Sequence, residues 1–514
     1  MESTTTTFSL FAVRTVFCCV VLAVFLAVFS ARKPKSNLPW VALDEDPTTK
    51  GLQNVGKARR QWVENCNAVI DKGLREVKGA FWVQTDVGPK IILPNSYAEE
   101  IRNSPHMVFS EAIKEELLAT YSGITPIGLL TDGHVFQDLT RINLTRSLDA
   151  VTPILNGETR VSLQKLLGDS KEWRETPIRN FANDLIVRLS TRVFFGSELC
   201  QNQEYLDHIV TWGNLVLMVN AALRPWPLAL RKIVHMFHPF SRQIRSTRMK
   251  IRSIISPLIA ERVALKKQGK TSAKMSDMVG WMEDIIEEKG ANVDLIDGQL
   301  FIAFAAVETT STTLAYLILD LLDHPEAVAP LRQEIIEVLG SSGWSKTSLM
   351  RLKLLDSAMK ESQRLHPLSH LNMQRKVIEN VTLSDGTVLP KGTQTFVRWE
   401  TRSSESIYPN PDEFVVDRFL KMRESGENGA SSKWQFVSTS PEHLAFGHGR
   451  QACPGRFFAS NEMKVAMVHI LLKYEWKYTG EGRKPEQTIS HIPMLPFDQK
   501  VAFRRRESEA GLDL

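Results

Sequence analysis

Residues Phe8 to Ala31 are almost wholly apolar, broken by Arg14, and Arg32, Lys33 and Lys35 follow at once. About 20 apolar residues are enough to cross a bilayer, and basic flanks mark the cytoplasmic end. The pattern predicts an N-terminal transmembrane signal-anchor over 8–31 with the body in the cytoplasm. A cleaved leader ending near Ser30 and Ala31 is the other reading. A short polar linker with Pro34 and Pro39 covers 32–50. The body, 51–504, opens with β-branched and aromatic residues around Asp86 and Gly88, which predict short strands between Gly79 and Leu93. From Tyr97 to Ala329 the pattern is helical, broken by proline and glycine. Leu215 to Leu230 crowds Leu, Val, Met, Pro and Trp together, which suits either core or an apolar loop touching a bilayer; core is preferred. KKQGKTSAKMSD (266–277) and MRESGENGASSK (422–433) read as solvated loops.

Three later stretches are more telling. GQLFIAFAAVETTSTTLAYLILDLL (298–322) is apolar almost all round, so its helix belongs in the middle of a large domain. Met373–Lys376 and the following VIENVTLSDGTVLPKGT predict a strand, a turn at Ser384–Gly386, and a second strand ending at Pro390–Gly392. RFFASNEMKVAMVHILLKY, from Arg456, is helix-compatible. A charged tail closes the chain over 505–514. The length of 514 residues would allow about three domains, but no internal repeat or long linker divides the body.

Composition changes this picture little. The chain is 43% hydrophobic and 24% charged, ordinary for a globular enzyme. Its 63 basic and 58 acidic residues leave a net charge of +5, too mild to argue for nucleic acid. The five cysteines, Cys18, Cys19, Cys66, Cys200 and Cys453, show no pairing pattern and fit a reducing compartment. With the body in the cytoplasm, the glycosylation sequons at Asn143 and Asn380 go unused.

The chemistry concentrates at FGHGRQACPG, Phe446 to Gly455. A lone cysteine in a glycine-rich turn is usually a small buried apolar residue. Here Arg450, the backbone N–H groups and the helix that follows would all favour an anionic sulfur at Cys453. Glycines also let a backbone approach a flat cofactor. A second unusual feature is Glu308 on the buried helix, beside Thr309, Thr310, Ser311, Thr312 and Thr313. A buried charge needs a partner or a function, whereas Thr309 and Thr310 could simply bond back to the preceding turn. A third is Glu361-Ser-Gln-Arg364, whose ends face one another on a helix.

The spacing F-x-x-G-x-x-x-C-x-G resembles the haem-binding loop of the cytochromes P-450, the haem-thiolate monooxygenases. AAVETT resembles the family's oxygen-binding helix, with Ala306 where glycine is usual. ESQR resembles its E-x-x-R pair, and DEFVVDRF supplies a third charged partner, Arg418, with Val416 in place of proline. The four motifs stand in the family's order. The resemblance implies a mostly helical single domain with small β-sheets (α+β), holding haem b between the Glu308 helix and the cysteine loop. It implies Cys453 as the iron ligand, with Phe446, Gly449, Arg450 and Gly455 forming the cradle. Arg375 would reach a haem propionate, and either Arg141 or Arg146 would assist. Gln451 stands where the family has a propionate-gripping arginine or histidine. Thr309 and Glu308 would relay protons to dioxygen, while Glu361, Arg364 and Arg418 would be framework.

The resemblance also implies an endoplasmic reticulum protein, spanning the membrane once, that takes electrons from an NADPH-cytochrome reductase. No flavin or GxGxxG motif is present. Arg456, Lys464 and Lys473 would offer the reductase a basic surface. HPLSHLNMQRKVIENVTLSDGTVLPKGT is similar to fungal secondary-metabolism members of the ent-kaurene-oxidase-like type, which implies an apolar substrate, a terpenoid before a steroid, indole or polyketide. Phe301, Phe304, Ala305, residues 368–373 (Leu371 and Met373 among them), Ile492 and Met494 would line its pocket, with His370, Asn372 or His491 holding one polar group. A haem-thiolate isomerase that needs no dioxygen and a haem-binding sensor are the alternatives.

Overall fold

The computed structural model describes residues 36–44, 52–131, 134–268 and 278–507. The expected anchor at 8–31, most of the linker and residues 508–514 of the tail lie outside the described residues. Trp40–Val41, within the stretch read as linker, forms strand β1 and pairs in parallel with Trp82 and Val83.

Helix α1 (Leu52–Glu76) precedes a hairpin of β2 (Phe81–Thr85) and β3 (Gly88–Leu93). Gly88 makes its turn at φ 132, a conformation closed to most side chains. Strand β4 (Met107–Val108) leads into the short helix α2 (Phe109–Glu116). After α3 (Leu148–Leu166) and β5 (Arg174–Pro177) come α4 (Ile178–Phe195), α5 (Gln203–Leu223), α6 (Leu228–Phe237), α7 (Pro239–Lys267) and α8 (Met278–Lys289). The central helix α9 runs from Leu295 to Asp323. It starts where the Asp294 carboxylate accepts the Asp297 N–H at 2.9 Å, an N-cap, and stops before Pro325. Helix α10 (Val328–Ser342) follows, and α9 packs against α4, α5 and the later α11 (Lys353–Leu365), as its all-round apolar sequence requires.

Strands β6 (Leu371–Val377), β7 (Val381–Thr382), β8 (Val388–Leu389) and β9 (Gln394–Arg398) follow. The expected two strands are thus four. β6 pairs with the distant β9, and only the tip around Ser384–Gly386 closes as a separate small hairpin. Helices α12 (Arg418–Arg423) and α13 (Arg456–Lys473), then β10 (Tyr474–Tyr478), β11 (Gln487–Ile489), β12 (Ile492–Met494) and β13 (Lys500–Arg505), complete the chain. The main sheet has the order β1-β2-β3-β9-β6-β4, and a smaller one runs β10-β13-β5. The chain is therefore a mostly helical fold with small sheets.

The β6–β9 ladder slips between Asn372 and Arg375, with Met373 at φ 46. The slip decides which way side chains face. Leu371 packs with Trp62 and Phe396, and Met373 with Trp399 and Leu444. Both are buried in the sheet's own cores.

Candidate active site

The cysteine loop is built by glycine and by long-range staples. Gly447 and Gly449 have φ of 70 and 77. A Cβ on Gly449 would lie 2.5 Å from Arg102 Cβ, so only glycine fits there. The Cys453 N–H donates to Phe446 O at 2.8 Å, folding the loop back on itself. Phe446 stacks edge-on against Phe436, and His448 meets Glu99 Oε2 at 2.9 Å. Gln451 makes two backbone bonds across the molecule. Its Oε1 accepts the Phe109 N–H at 2.6 Å and its Nε2 donates to Met107 O at 2.7 Å. Both polar ends of the side chain are occupied in tying the loop to β4 and α2. At Arg450 the backbone N–H donates to Asn103 Oδ1 at 2.9 Å, and the residue is exposed.

Cys453 lies deep, yet stays partly accessible. Burial pushes its thiol up, against the Gly455 and Arg456 N–H groups and the Arg456 guanidinium, which favour the thiolate. Those N–H groups belong to the start of α13, whose dipole acts in the same direction. Arg456 also donates to Cys453 O at 2.7 Å. A methyl at Gly455 would stand 4.0 Å from the sulfur and 3.7 Å from Thr140 Cγ2, so a turn of π-helix at Leu139–Leu144 closes this side. Arg141, in that turn, is near enough to Arg456 to disfavour its charge. Arg146 is exposed.

Two features fit a flat, anionic, iron-bearing group. Arg375 is 1% exposed, and among the described residues its guanidinium makes one hydrogen bond, from Nη1 to the neighbouring Gln374 O, while Nε and Nη2 have no partner. Burial drags this guanidinium down to about 10. A buried cation with two free donors is costly unless an anion meets it. On α9, Ala305 and Thr309 are exposed one turn apart, although Leu300–Ala303, Val307 and Thr310 around them are buried. That strip of small residues leaves room for a large group along the helix.

Thr309 Oγ1 donates to Ala305 O at 2.9 Å, so at rest it is bonded back to its own helix. Glu308 Oε1 accepts from Arg179 Nη2 at 2.7 Å, a partner on α4. The Arg179 guanidinium in turn lies 4.2 Å from the centre of the Phe497 ring. The carboxylate is therefore paired, a contact 129 residues away in sequence that no local pattern reveals. Glu361 is wholly buried between Arg364, at 2.9 and 2.8 Å, and Arg418 Nε, at 2.8 Å. The arginines also cap backbone carbonyls, Arg364 those of Arg402 and Pro411 and Arg418 those of Pro409 and Asn410.

Among the pocket residues named from sequence, Phe301 packs on Phe136 and Phe304 on Trp212. Ile492 is exposed, Met494 and His491 are partly so, and Asn372 is half-buried. His370 is buried and held down to about 4 by that burial. The basic surface expected at Lys464 is absent. Lys464 is buried against Asp356, Nζ to Oδ1 2.6 Å. Arg456 is turned toward Cys453 and Val437.

A family model described as Cytochrome P450 matches residues 95–501. The chain is 34% identical over 495 residues to cytochrome P450 monooxygenase bsc2 of Alternaria brassicicola, covering 95% of this chain and 93% of the relative. It is 35% identical over 494 residues to cytochrome P450 monooxygenase adrA of Penicillium rubens, 94% of each chain. It is 37% identical over 437 residues to a Gibberella fujikuroi cytochrome P450 monooxygenase, covering 84% of this chain and 99% of that one. The retinoic acid-bound cyanobacterial CYP120A1 superposes with a TM-score of 0.64 at 16% identity, covering 87% of this chain and 96% of its own.

Proposed function

The chain belongs to the cytochrome P450 family of haem-thiolate monooxygenases, which use haem b, dioxygen and reductase-supplied NADPH electrons, and within that family we propose a membrane-anchored enzyme of fungal secondary metabolism that oxidises an apolar terpenoid. The observation that carries the site assignment is the pairing of a glycine-built thiolate loop with an orphaned buried arginine.

Cys453 would hold the iron. A metal deprotonates a coordinating thiol outright, overcoming the burial that opposes ionisation here. Arg375 would meet a propionate with its free Nε and Nη2, and Arg141 would assist from the π-helical turn. Because Gln451 is committed to Met107 and Phe109, it leaves that grip to the arginines. Phe446, Gly449 and Gly455 shape the cradle, and Arg450 stands at its outer edge. When bound, the haem supplies electron transfer and oxygen activation. The protein's own part is to orient an apolar substrate, exclude water and move protons. Thr309 Oγ is the near group on the accessible strip, and Glu308 recharges it when it parts from Arg179.

Membrane attachment has support beyond the N-terminal run. Helix α6 is turned inside out: Arg231 and His235 are buried, while Leu228, Ile233, Met236 and Phe237 are 56–62% exposed. Such a face suits a lipid interface, with the anchor on the same membrane. In the 215–230 stretch Leu215, Val216, Val219 and Leu223 are core, the preferred sequence reading, and the exposed Trp226 and Leu228 beyond them would be the part to touch a bilayer. The NADPH reductase remains the proposed donor, docking without Lys464.

Titrating the haem-loaded enzyme with cyclic terpenoids and with aromatic polyketides, following the spin shift of the iron, tests the substrate class. Tight shifts and turnover with terpenoids are expected. Shifts and turnover with polyketides alone would overturn the terpenoid reading.

A further inference from the structure

The chain around α6 carries more positive charge than its own carboxylates neutralise. No acidic residue stands between Asp207 and Glu261, whereas eight arginines and lysines do. On α7, Arg248 is paired with Asp297 and Arg252 with Asp294. Arg224, which follows α5, is paired as well. It donates from Nη1 to Asp86 Oδ2 at 2.8 Å, in the β2–β3 turn, and from Nη2 to Glu116 Oε1 at 2.9 Å, at the end of α2. Lys90 of β3 occupies the other oxygen of Glu116.

Two further guanidinium groups come to the same place, and no carboxylate is left for them. Arg231 of α6 is 5% exposed. It donates from Nε to Trp226 O at 2.9 Å and from Nη2 to Arg224 O at 3.0 Å, and Nη1 has no partner among the described residues. Arg59 of α1 is near enough to Arg231 to oppose its charge, and its own Nε is buried without a partner. Asp86 supports both charges from the turn, but it already holds Arg224. Tyr121 stands beside Arg231, its ring edge-on to His235 at 5.2 Å. Arg59, Arg224, Arg231 and Lys90 set against Asp86 and Glu116 leave two positive charges over. Burial opposes the charge of both Arg59 and Arg231. Cations held in this way are costly unless an anion meets them.

The surroundings say which anion. Trp226 and Leu228 beside the pair, and Ile233, Met236 and Phe237 further along α6, are exposed. A free inorganic anion gains nothing from such a face, whereas a phosphate carrying acyl chains uses the arginines and the face together. We propose that Arg59 and Arg231, with Tyr121 beside them, bind the phosphate of an anionic phospholipid whose acyl chains lie along the exposed face of α6. Guanidinium forks match phosphate oxygens in geometry. The surplus of two charges favours a headgroup with no cation of its own, so phosphatidic acid is preferred to phosphatidylcholine. One such lipid bridges α1 to α6, while Arg224 stays with its carboxylates. The inference rests on the reading of α6 as lipid-facing.

The test titrates the full haem-loaded chain, in neutral detergent micelles, with dioctanoyl phosphatidic acid, dioctanoyl phosphatidylcholine and inorganic phosphate, and follows the heat of binding. The wild type should bind phosphatidic acid about tenfold or more tighter than either of the others. Arg59→Gln should weaken phosphatidic acid about tenfold, the worth of one charge-assisted hydrogen bond, and leave phosphatidylcholine unchanged. Arg59→Lys should recover part of the loss. Arg231→Gln should weaken it at least as much, and the half-buried Arg59 keeps the test open if that variant folds poorly. Lys232→Gln, which removes an exposed cation of the same helix, should change nothing. Unchanged affinity in Arg59→Gln, or an equal loss in Lys232→Gln, would overturn the site. Inorganic phosphate binding as tightly as phosphatidic acid would overturn the lipid in favour of a free anion. A second measurement places the chain in vesicles of brominated phosphatidylcholine and takes the fluorescence of Trp226 as the difference between wild type and Trp226→Phe. Quenching of that difference is expected. Its absence would overturn the lipid-facing reading of α6, and the lipid site with it.

Discussion

Replacing Glu361 with alanine should nearly abolish haem-loaded protein, and the structure gives the size of the effect. The carboxylate accepts four hydrogen bonds, from Arg364 Nε, Arg364 Nη2, Arg418 Nε and the Val415 N–H. All three side chains are at most 6% exposed. Its removal leaves two buried guanidinium groups facing only backbone carbonyls. Breaking a buried ion network by deleting one partner costs roughly 3–5 kcal/mol. That is a large share of the 5–15 kcal/mol or so by which proteins are stable, and it shifts the folding equilibrium by about two to more than three decades. An exposed pair of the same residue types would cost about 1 kcal/mol or less. The loop from Arg402 to Glu413 is what the two arginines hold, so the damage should reach the haem pocket's frame. The assay is the urea midpoint and the haem-to-protein ratio of purified protein, for wild type, Glu361→Gln and Glu361→Ala. Glutamine keeps some acceptors without the charge and should fall between. A Glu361→Ala protein with normal midpoint and full haem would refute the reasoning.

Thr309→Ala should still bind haem and substrate but form less product per NADPH consumed, with the balance appearing as peroxide; an unchanged ratio would leave Thr309 as a packing residue. Glu462 of α13 is wholly buried with one partner, Ser190 at 2.8 Å, and burial raises its carboxyl to about 8. The folded state therefore holds a proton that the unfolded state releases near pH 4.5, so this group's contribution to stability is complete below about 4.5 and is lost as pH rises through about 8. Glu462→Gln should flatten the fall in melting temperature over that window and melt higher than wild type at pH 8.5; parallel curves would contradict the assignment.

What the sequence reveals and what it hides have physical causes. The helix read at 298–322 is found at Leu295–Asp323, because a segment apolar all round has one place to go. The strands expected between Gly79 and Leu93 form a hairpin, because its residues are local to one another. The β6–β9 pairing is not local, and neither are the packing partners that bury Leu371 and Met373 in two separate cores. Lys464 looks like a surface charge until Asp356, 108 residues earlier, is folded against it. Gln451 reads as a weakened anion grip, but its partners are backbone groups of β4 and α2 that no side-chain motif announces. In each case the missing information is a long-range partner rather than a local propensity.

The central claim is that Cys453 presents a thiolate to haem iron. The most direct measurement is the absorption spectrum of the dithionite-reduced protein under carbon monoxide, for wild type and Cys453→Ser at matched haem. A Cys453 thiolate on the iron gives the strongly red-shifted Soret band in the wild type and its loss in the variant. A wild-type band at the position given by imidazole-ligated haem, or a red-shifted band that survives in Cys453→Ser, would contradict it.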